Sequence, residues 1–451
     1  MGYDIRMYKK DSIFISKKKP ETLDLAIVFI TTEGIQHSVG GVAKYIRHFI
    51  LTLVNMQKSL EEFGVEITLY AAEPGLLRLL PSYNTKDFKS IREVVESTGG
   101  KVFKLVNNTY GEDWISHEEN WKILSSSAAT IALNVSEDHQ ATIVFFGSSC
   151  LSLSQVYIHK QIKAFTGDIQ TVYLTHDSAF SKFHKERYEN ILSMDFLCSQ
   201  WTKFTPNAKI GYVSKYMKKV FEENYFVNES AFVPCKSGIL LEDSRYSELS
   251  KNEITQILIK NNIPLDKKNV FTWGRADGYK RLDLIHSAGK LLGEEYVPIS
   301  VTNSKYPELN NYIKNINGTG ILIENYKEFE LINALISWEN TVAICLFSEN
   351  EPGAMTPMEA MYLCNRGTGI VLTNKQGVYP ELIADGENGF MVDNNVEEIA
   401  NKIKYISEIA PEQRITIQQN ACETIENNFS QKSHYIETLQ ELIPMLKDFK
   451  N

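Results

Sequence analysis

Two glutamates, Glu351 and Glu359, stand with seven residues between them in the stretch Ser348 to Met361, directly after the apolar run Val342–Phe347. Glu351 precedes Pro352-Gly353 in what reads as a loop, where an uncompensated carboxylate serves a polar ligand better than it serves a fold. Thr356-Pro357-Met358-Glu359 reads as a helix start, with Thr356 as N-cap and Glu359 closing a capping box, so Glu359 also has a purely structural explanation. Gly353, Ala354 and Met355 leave backbone N–H groups at this helix start available to an anion such as a diphosphate. Arg275 and Lys280 lie five apart across a glycine-containing loop, where a guanidinium fork and a point charge can converge on one phosphate; the competing reading is solvated surface charge. His176 and Asp177 follow the run Thr171–Leu174, at a strand end where an imidazole can donate to a substrate hydroxyl or bond within its own loop. Gly40 and Gly41 open a helical pattern and fit either a permissive turn or an anion loop. They do not form the Gly-x-Gly-x-x-Gly fingerprint of dinucleotide binding.

These residues need strands to hold them, and the sequence supplies them. Short β-branched and aromatic runs alternate with amphipathic stretches, the pattern of parallel sheets built from strand–helix–strand units. The runs are Leu25–Ile30, Glu66–Ala71, Thr142–Phe146, Thr171–Leu174, Lys209–Val213 and Ala231–Pro234, then Asn269–Trp273, Pro298–Val301, Gly320–Ile323, Val342–Phe347 and Gly369–Leu372. The series restarts after Pro234, which predicts two α/β units, 1–238 and 239–429, followed by a terminal helix, 430–451, interrupted at Pro444. Each candidate residue falls just beyond a strand's carboxyl end, where ligands bind in open parallel sheets.

Composition narrows the class. The chain has 451 residues, too many for one core, and 43% are hydrophobic. Lysine and arginine number 47 against 56 aspartates and glutamates, a net charge of −9 that argues against a nucleic-acid partner. No apolar run approaches the ~18 residues of a membrane span. Lys17, Lys18 and Lys19 cluster, yet the net charge weighs against membrane contact beyond a peripheral one. Six scattered cysteines with no Cys-x-x-Cys, and no signal-peptide pattern, fit a cytoplasmic protein with reduced core thiols.

Glu351 and Glu359 resemble the Glu-x7-Glu motif of retaining glycosyltransferases of the GT-B fold, the large family 4-like group. Gly40-Gly41 is similar to that family's N-terminal glycine pair, His176 to its N-domain histidine, and Val233-Pro234 to Gly238-Ile239 to its interdomain segment. Gly274-Arg275 to Lys280 resembles the phosphate-binding pair, and Gln376-Gly377-Val378-Tyr379-Pro380-Glu381 with Asp385 to Phe390 resembles the next loop and strand. Six blocks in order cover nearly the whole chain. Arg281, Cys235-Lys236, Ala354 and Gln376 depart from the common pattern without removing a group that binds charge or sugar.

The resemblance implies two Rossmann-like, doubly wound domains facing across a cleft. The C-terminal one would hold a nucleotide-sugar, a UDP-sugar by first expectation, and the N-terminal one a hydroxyl acceptor, small molecule or glycan, near Gly40, His176 and Asp177. Arg275 and Lys280 would neutralise the leaving diphosphate, helped by amides near Gly41, Gly353, Ala354, Met355 and Thr356. Glu351 would bond the donor sugar, Glu359 the ribose, and His176 would orient the sugar from the opposite wall. Transfer would retain the anomeric configuration and need no metal or other cofactor. A nucleotide-sugar epimerase on the same fold, and a catalytically silent nucleotide-sugar-binding partner of another transferase, remain the alternatives.

Overall fold

The computed structural model describes residues 22–32, 41–75, 85–106, 118–161, 168–176, 178–180, 188–275, 278–303, 320–324, 329–353 and 355–449. Gly40, Asp177 and Ala354 lie outside the described residues. The first unit contains strands β1 (Leu23–Ile30), β2 (Val65–Pro74), β3 (Val102–Leu105), β4 (Ala141–Phe146), β5 (Asp168–Leu174), β6 (Ala208–Tyr212) and β7 (Phe232–Pro234). Its helices are α1 (Gly41–Glu62), α2 (Thr85–Ser97), α3 (Glu118–Ser136), α4 (Leu153–Gln161), α5 (Tyr188–Trp201) and α6 (Lys215–Tyr225). The second has β8 (Lys268–Arg275), β9 (Tyr296–Asn303), β10 (Ile321–Ile323), β11 (Thr341–Leu346), β12 (Ile370–Asn374) and β13 (Phe390–Val392). Around that sheet come α7 (Lys251–Lys260), α8 (Asp283–Gly289), α9 (Glu330–Ser337), α10 (Met355–Leu363), α11 (Tyr379–Leu382), α12 (Val396–Glu408) and α13 (Pro411–Asn428); α14 (Gln431–Leu442) is last.

The strands form two sheets, ordered β3-β2-β1-β4-β5-β6-β7 and β10-β9-β8-β11-β12-β13. Each strand pair within them is parallel. This is the expected pair of doubly wound Rossmann-like units. Parallel strands must be covered on both faces, and apolar clusters lie on either side of each sheet. All eleven strands expected from sequence are present. β3 is an addition: its four residues are mostly half-exposed, Lys104 breaks their apolar run, and it pairs only with β2 at the sheet edge.

In both orders the direction of winding reverses once, between β1 and β4 in the first sheet and between β8 and β11 in the second. A crevice opens at such a reversal, outside the strands' carboxyl ends. The loop from β8 carries Arg275 to Lys280, and the loop from β11 carries Ser348 to Glu351. Those two loops are therefore neighbours because of sheet order, although 71 residues separate Lys280 from Glu351.

The chain crosses between units twice, and the crossings are paired. Ile239 N donates to Phe429 O at 3.0 Å and Gln431 N donates to Ile239 O at 2.9 Å. α14 then lies against α1 and β7 of the first unit. Its Tyr435 ring stacks on Phe49, with centroids 3.6 Å apart, and its hydroxyl donates to Tyr45 O at 2.9 Å. The helix ends at Leu442, before the short turn Pro444–Leu446. Among the described residues no helix is long and apolar enough to cross a membrane.

Candidate functional site

A cleft between the two units is lined from the first by Gly41, Val42 and His176 and from the second by Arg275, Lys280 and Glu351, with Gly353, Met355 and Thr356 at the start of α10. The structure thus gathers most of the sequence-derived candidates around one opening. His176 follows β5, with its ring edge against the Tyr45 ring of α1 at 4.8 Å between centroids. Arg275 ends β8, its guanidinium 3.4 Å from the Tyr279 hydroxyl. Lys280 sits in the turn Gly278–Lys280, and its Nζ lies 4.9 Å from the centre of the Tyr279 ring.

Glu351 is not the uncompensated carboxylate that the sequence suggests. Its Oε2 accepts from Lys280 Nζ at 2.5 Å, and the residue is 8% exposed. Burial alone would lower the Lys280 pKa, but the Glu351 carboxylate, with the Tyr279 and Tyr379 phenols, outweighs it and holds the ammonium well above its ordinary range. A cation and an anion thus face the cleft as a preformed pair.

Glu359 differs more. α10 begins at Met355, so Thr356 lies inside the first turn and Pro357 is its third residue; the expected capping box does not form. Instead the fully buried Glu359 carboxylate accepts from Lys44 Nζ of α1 at 2.8 and 3.0 Å and from the Tyr246 hydroxyl at 3.1 Å. Helix geometry gives the reason: Glu359 is one turn past Met355 on the same face of α10, deep enough along it to meet Lys44 of α1 instead of the opening. Lys44 belongs to a larger buried group at the seam. His48, on the same helix, contacts Asp243 at 3.2 Å, and Arg245 grips both oxygens of Asp243. Burial would raise the Asp243 pKa, but bonds from His48 and Arg245 hold its carboxyl well below the usual range. Burial lowers the Lys44 pKa, with Glu359 opposing and Arg245 adding to the shift.

Gly353 answers to packing as well as to any ligand. A Cβ there would come within 2.7 Å of Ser237 Oγ and 3.2 Å of a Val213 methyl, so the Glu351 loop touches the interdomain segment at this point. At Gly41 a Cβ would meet open space. The sequence reading missed Ser237, Thr272, Tyr279, Ser348 and Tyr379, which also line the cleft. Tyr279, Ser237, Ser348 and Tyr379 were within reach, each lying inside a stretch that the sequence already marks out; Thr272, inside β8, carries no local signal. Among the described residues no three His, Cys, Asp or Glu side chains gather as metal ligands.

Residues 253–423, which include Arg275, Lys280, Glu351 and Glu359, match the family described as glycosyl transferases group 1. No curated protein matches the sequence. Sucrose-phosphate synthase from Thermosynechococcus elongatus superposes with a TM-score of 0.67 at 14% identity, over 94% of this chain and 100% of that one. HepE of Anabaena, solved with UDP and glucose, gives 0.65 at 14% identity over 94% and 99%. A glycosyltransferase from Rickettsia africae gives 0.64 at 16% identity over 94% and 99%. At these identities the likeness is one of fold, and the fold is GT-B.

Proposed function

We propose that this chain is a glycosyltransferase that moves a sugar from a nucleotide-sugar, a UDP-sugar first, to a hydroxyl acceptor, with retention and without a metal ion. One observation carries the reading: Arg275, Lys280, Glu351 and the start of α10 line one cleft at the winding reversal of the second sheet. The match over residues 253–423 and the UDP held by the Anabaena neighbour support it.

The chemistry follows from the groups present. A nucleoside diphosphate becomes a better leaving group when its developing charge is met by fixed cations and helix amides, which Arg275, Lys280 and the N-terminus of α10 supply. Glu351, already turned into the cleft, accepts from hydroxyls of the donor sugar, and those bonds strengthen as positive charge grows on the ring. His176 reaches the same sugar from the first unit. The acceptor attacks on the face that the diphosphate leaves, so configuration is retained. Glu359 is assigned here to the seam between the units and not to the ribose.

Calorimetric titration with UDP, GDP, ADP and dTDP, then transfer assays with the sugars of the tightest nucleotide, tests the proposal. Binding of one diphosphate and transfer to an added hydroxyl acceptor is the expected result. Failure of all four to bind overturns it, and conversion of the nucleotide-sugar into an isomer without acceptor makes the protein an isomerase instead.

A further inference from the structure

The backbone at Glu351 is held from two sides. Its own carbonyl accepts from Val378 N at 2.9 Å, and the next carbonyl, Pro352 O, accepts from Ser214 Oγ at 2.6 Å. Ser214 belongs to the first unit, where it is the N-cap of α6 and its Oγ also accepts from Met217 N. Three residues beyond Val378, in α11, Glu381 reaches the same helix end. Its Oε2 accepts from Lys215 N at 2.9 Å and its Oε1 from Tyr216 N at 2.6 Å.

The first N–H groups of a helix have no carbonyl of their own, and the dipole there favours negative charge. A carboxylate delivered from the other unit meets both needs. Each of its oxygens takes a different amide, which fixes α11 in orientation as well as in distance. Since Val378 and Glu381 are on one short segment, what α6 holds through Glu381 it holds, through Val378, against Glu351.

We infer that Glu381 is a positioning residue for the transfer reaction, fastening the Glu351 segment to the first unit so that Glu351 faces His176. The inference rests on the transferase reading of the same cleft. It assigns Glu381 no contact with substrate. Its loss lowers turnover through a misplaced Glu351 and leaves diphosphate affinity, which depends on Arg275 and Lys280, nearly intact.

Glu381→Gln keeps the shape but replaces one accepting oxygen with a donor that faces an amide. Expected are kcat reduced at least tenfold, UDP affinity by calorimetry within twofold of wild type, and hydrogen exchange at the Lys215 and Tyr216 amides at least tenfold faster. Ser214→Ala, which frees Pro352 O, should lower kcat in the same direction and serves if the first variant does not fold. Unchanged exchange at those two amides refutes the contact, and unchanged kcat with faster exchange refutes the positioning role. If wild-type protein binds no nucleoside diphosphate, the transferase reading falls, and the positioning role with it, while the exchange comparison still decides whether Glu381 joins the two units.

Discussion

Lys280 Nζ and Glu351 Oε2 stand 2.5 Å apart, so the cation expected to meet a phosphate and the carboxylate expected to meet a sugar neutralise each other before any ligand arrives. A diphosphate entering the cleft must share or displace that carboxylate.

Glu351→Gln should therefore separate binding from turnover. Removing the negative charge frees Lys280, so nucleoside-diphosphate affinity should hold or rise. The single-turnover rate of transfer should fall, by about 1.5–3 kcal/mol of barrier if a charge-assisted hydrogen bond is lost. Calorimetry and rapid quench read the two quantities independently, and weaker UDP binding with a wild-type rate would reverse the assignment.

Arg275→Ala should weaken diphosphate binding by roughly 1.5–3 kcal/mol if a charge-assisted hydrogen bond to the phosphate is lost. Lys280→Ala should lower stability as well as diphosphate affinity, because it takes the cation away from a nearly buried Glu351 carboxylate. Comparing urea midpoints with UDP affinities separates the two variants.

Lys44 and Glu359 offer a double-mutant cycle across the seam. Lys44→Met should cost about 3–5 kcal/mol of stability by leaving Glu359 charged and buried, whereas Lys44→Met with Glu359→Leu should cost less than that single change. Additive losses in chemical denaturation would show that the pair does not interact in solution.

The candidate cleft was legible because its residues sit in loops at strand ends, with spacing that survives in one dimension. The seam was not. Lys44 lies between Ala43 and Tyr45 in a helical pattern and reads as the polar edge of an amphipathic helix; only the fold brings Glu359, 315 residues on, within 2.8 Å of it. For Glu359 the local rule offers a cap, since Thr-Pro-x-Glu satisfies it, and the resemblance offers a ribose contact; the tertiary ion pair with Lys44 overrides the cap. β3 escaped for a related reason, since four residues at a sheet edge need little apolar pattern.

Stability should fall as pH drops from about 6.5 to about 4, in part through His286. Burial lowers its pKa to about 4, and its Nε2 contacts Ser300 Oγ at 2.8 Å. The folded state thus takes up its proton later than the unfolded chain, whose histidine titrates near 6.5. The contribution is complete above pH 6.5, is lost as pH falls toward 4, and amounts to about 3 kcal/mol at most. His286→Gln should flatten that part of the pH profile of unfolding free energy, and an unchanged slope would exclude this histidine as the cause.

Transfer should persist after exhaustive dialysis against EDTA, because Arg275 and Lys280 are charges that cannot be chelated. A loss restored only by Mg²⁺ or Mn²⁺ would mean that the diphosphate is held elsewhere.

The stacking of Tyr435 on Phe49 has a bearing on how the chain is made. Leu439, Leu442, Leu446 and Phe449 join Phe29, Phe49 and Phe145 in a single apolar cluster, so the first unit's core includes residues that follow the second unit in the chain. During synthesis that unit must wait, with one face of its helix layer uncovered, until some two hundred later residues have been translated and the second unit has formed between its parts. Nascent chains stalled before Tyr435 should bind chaperones and be cut readily by protease, and extension past Phe449 should end both. Assembly order thus departs from reading order: a segment translated after the second unit completes the core of the first.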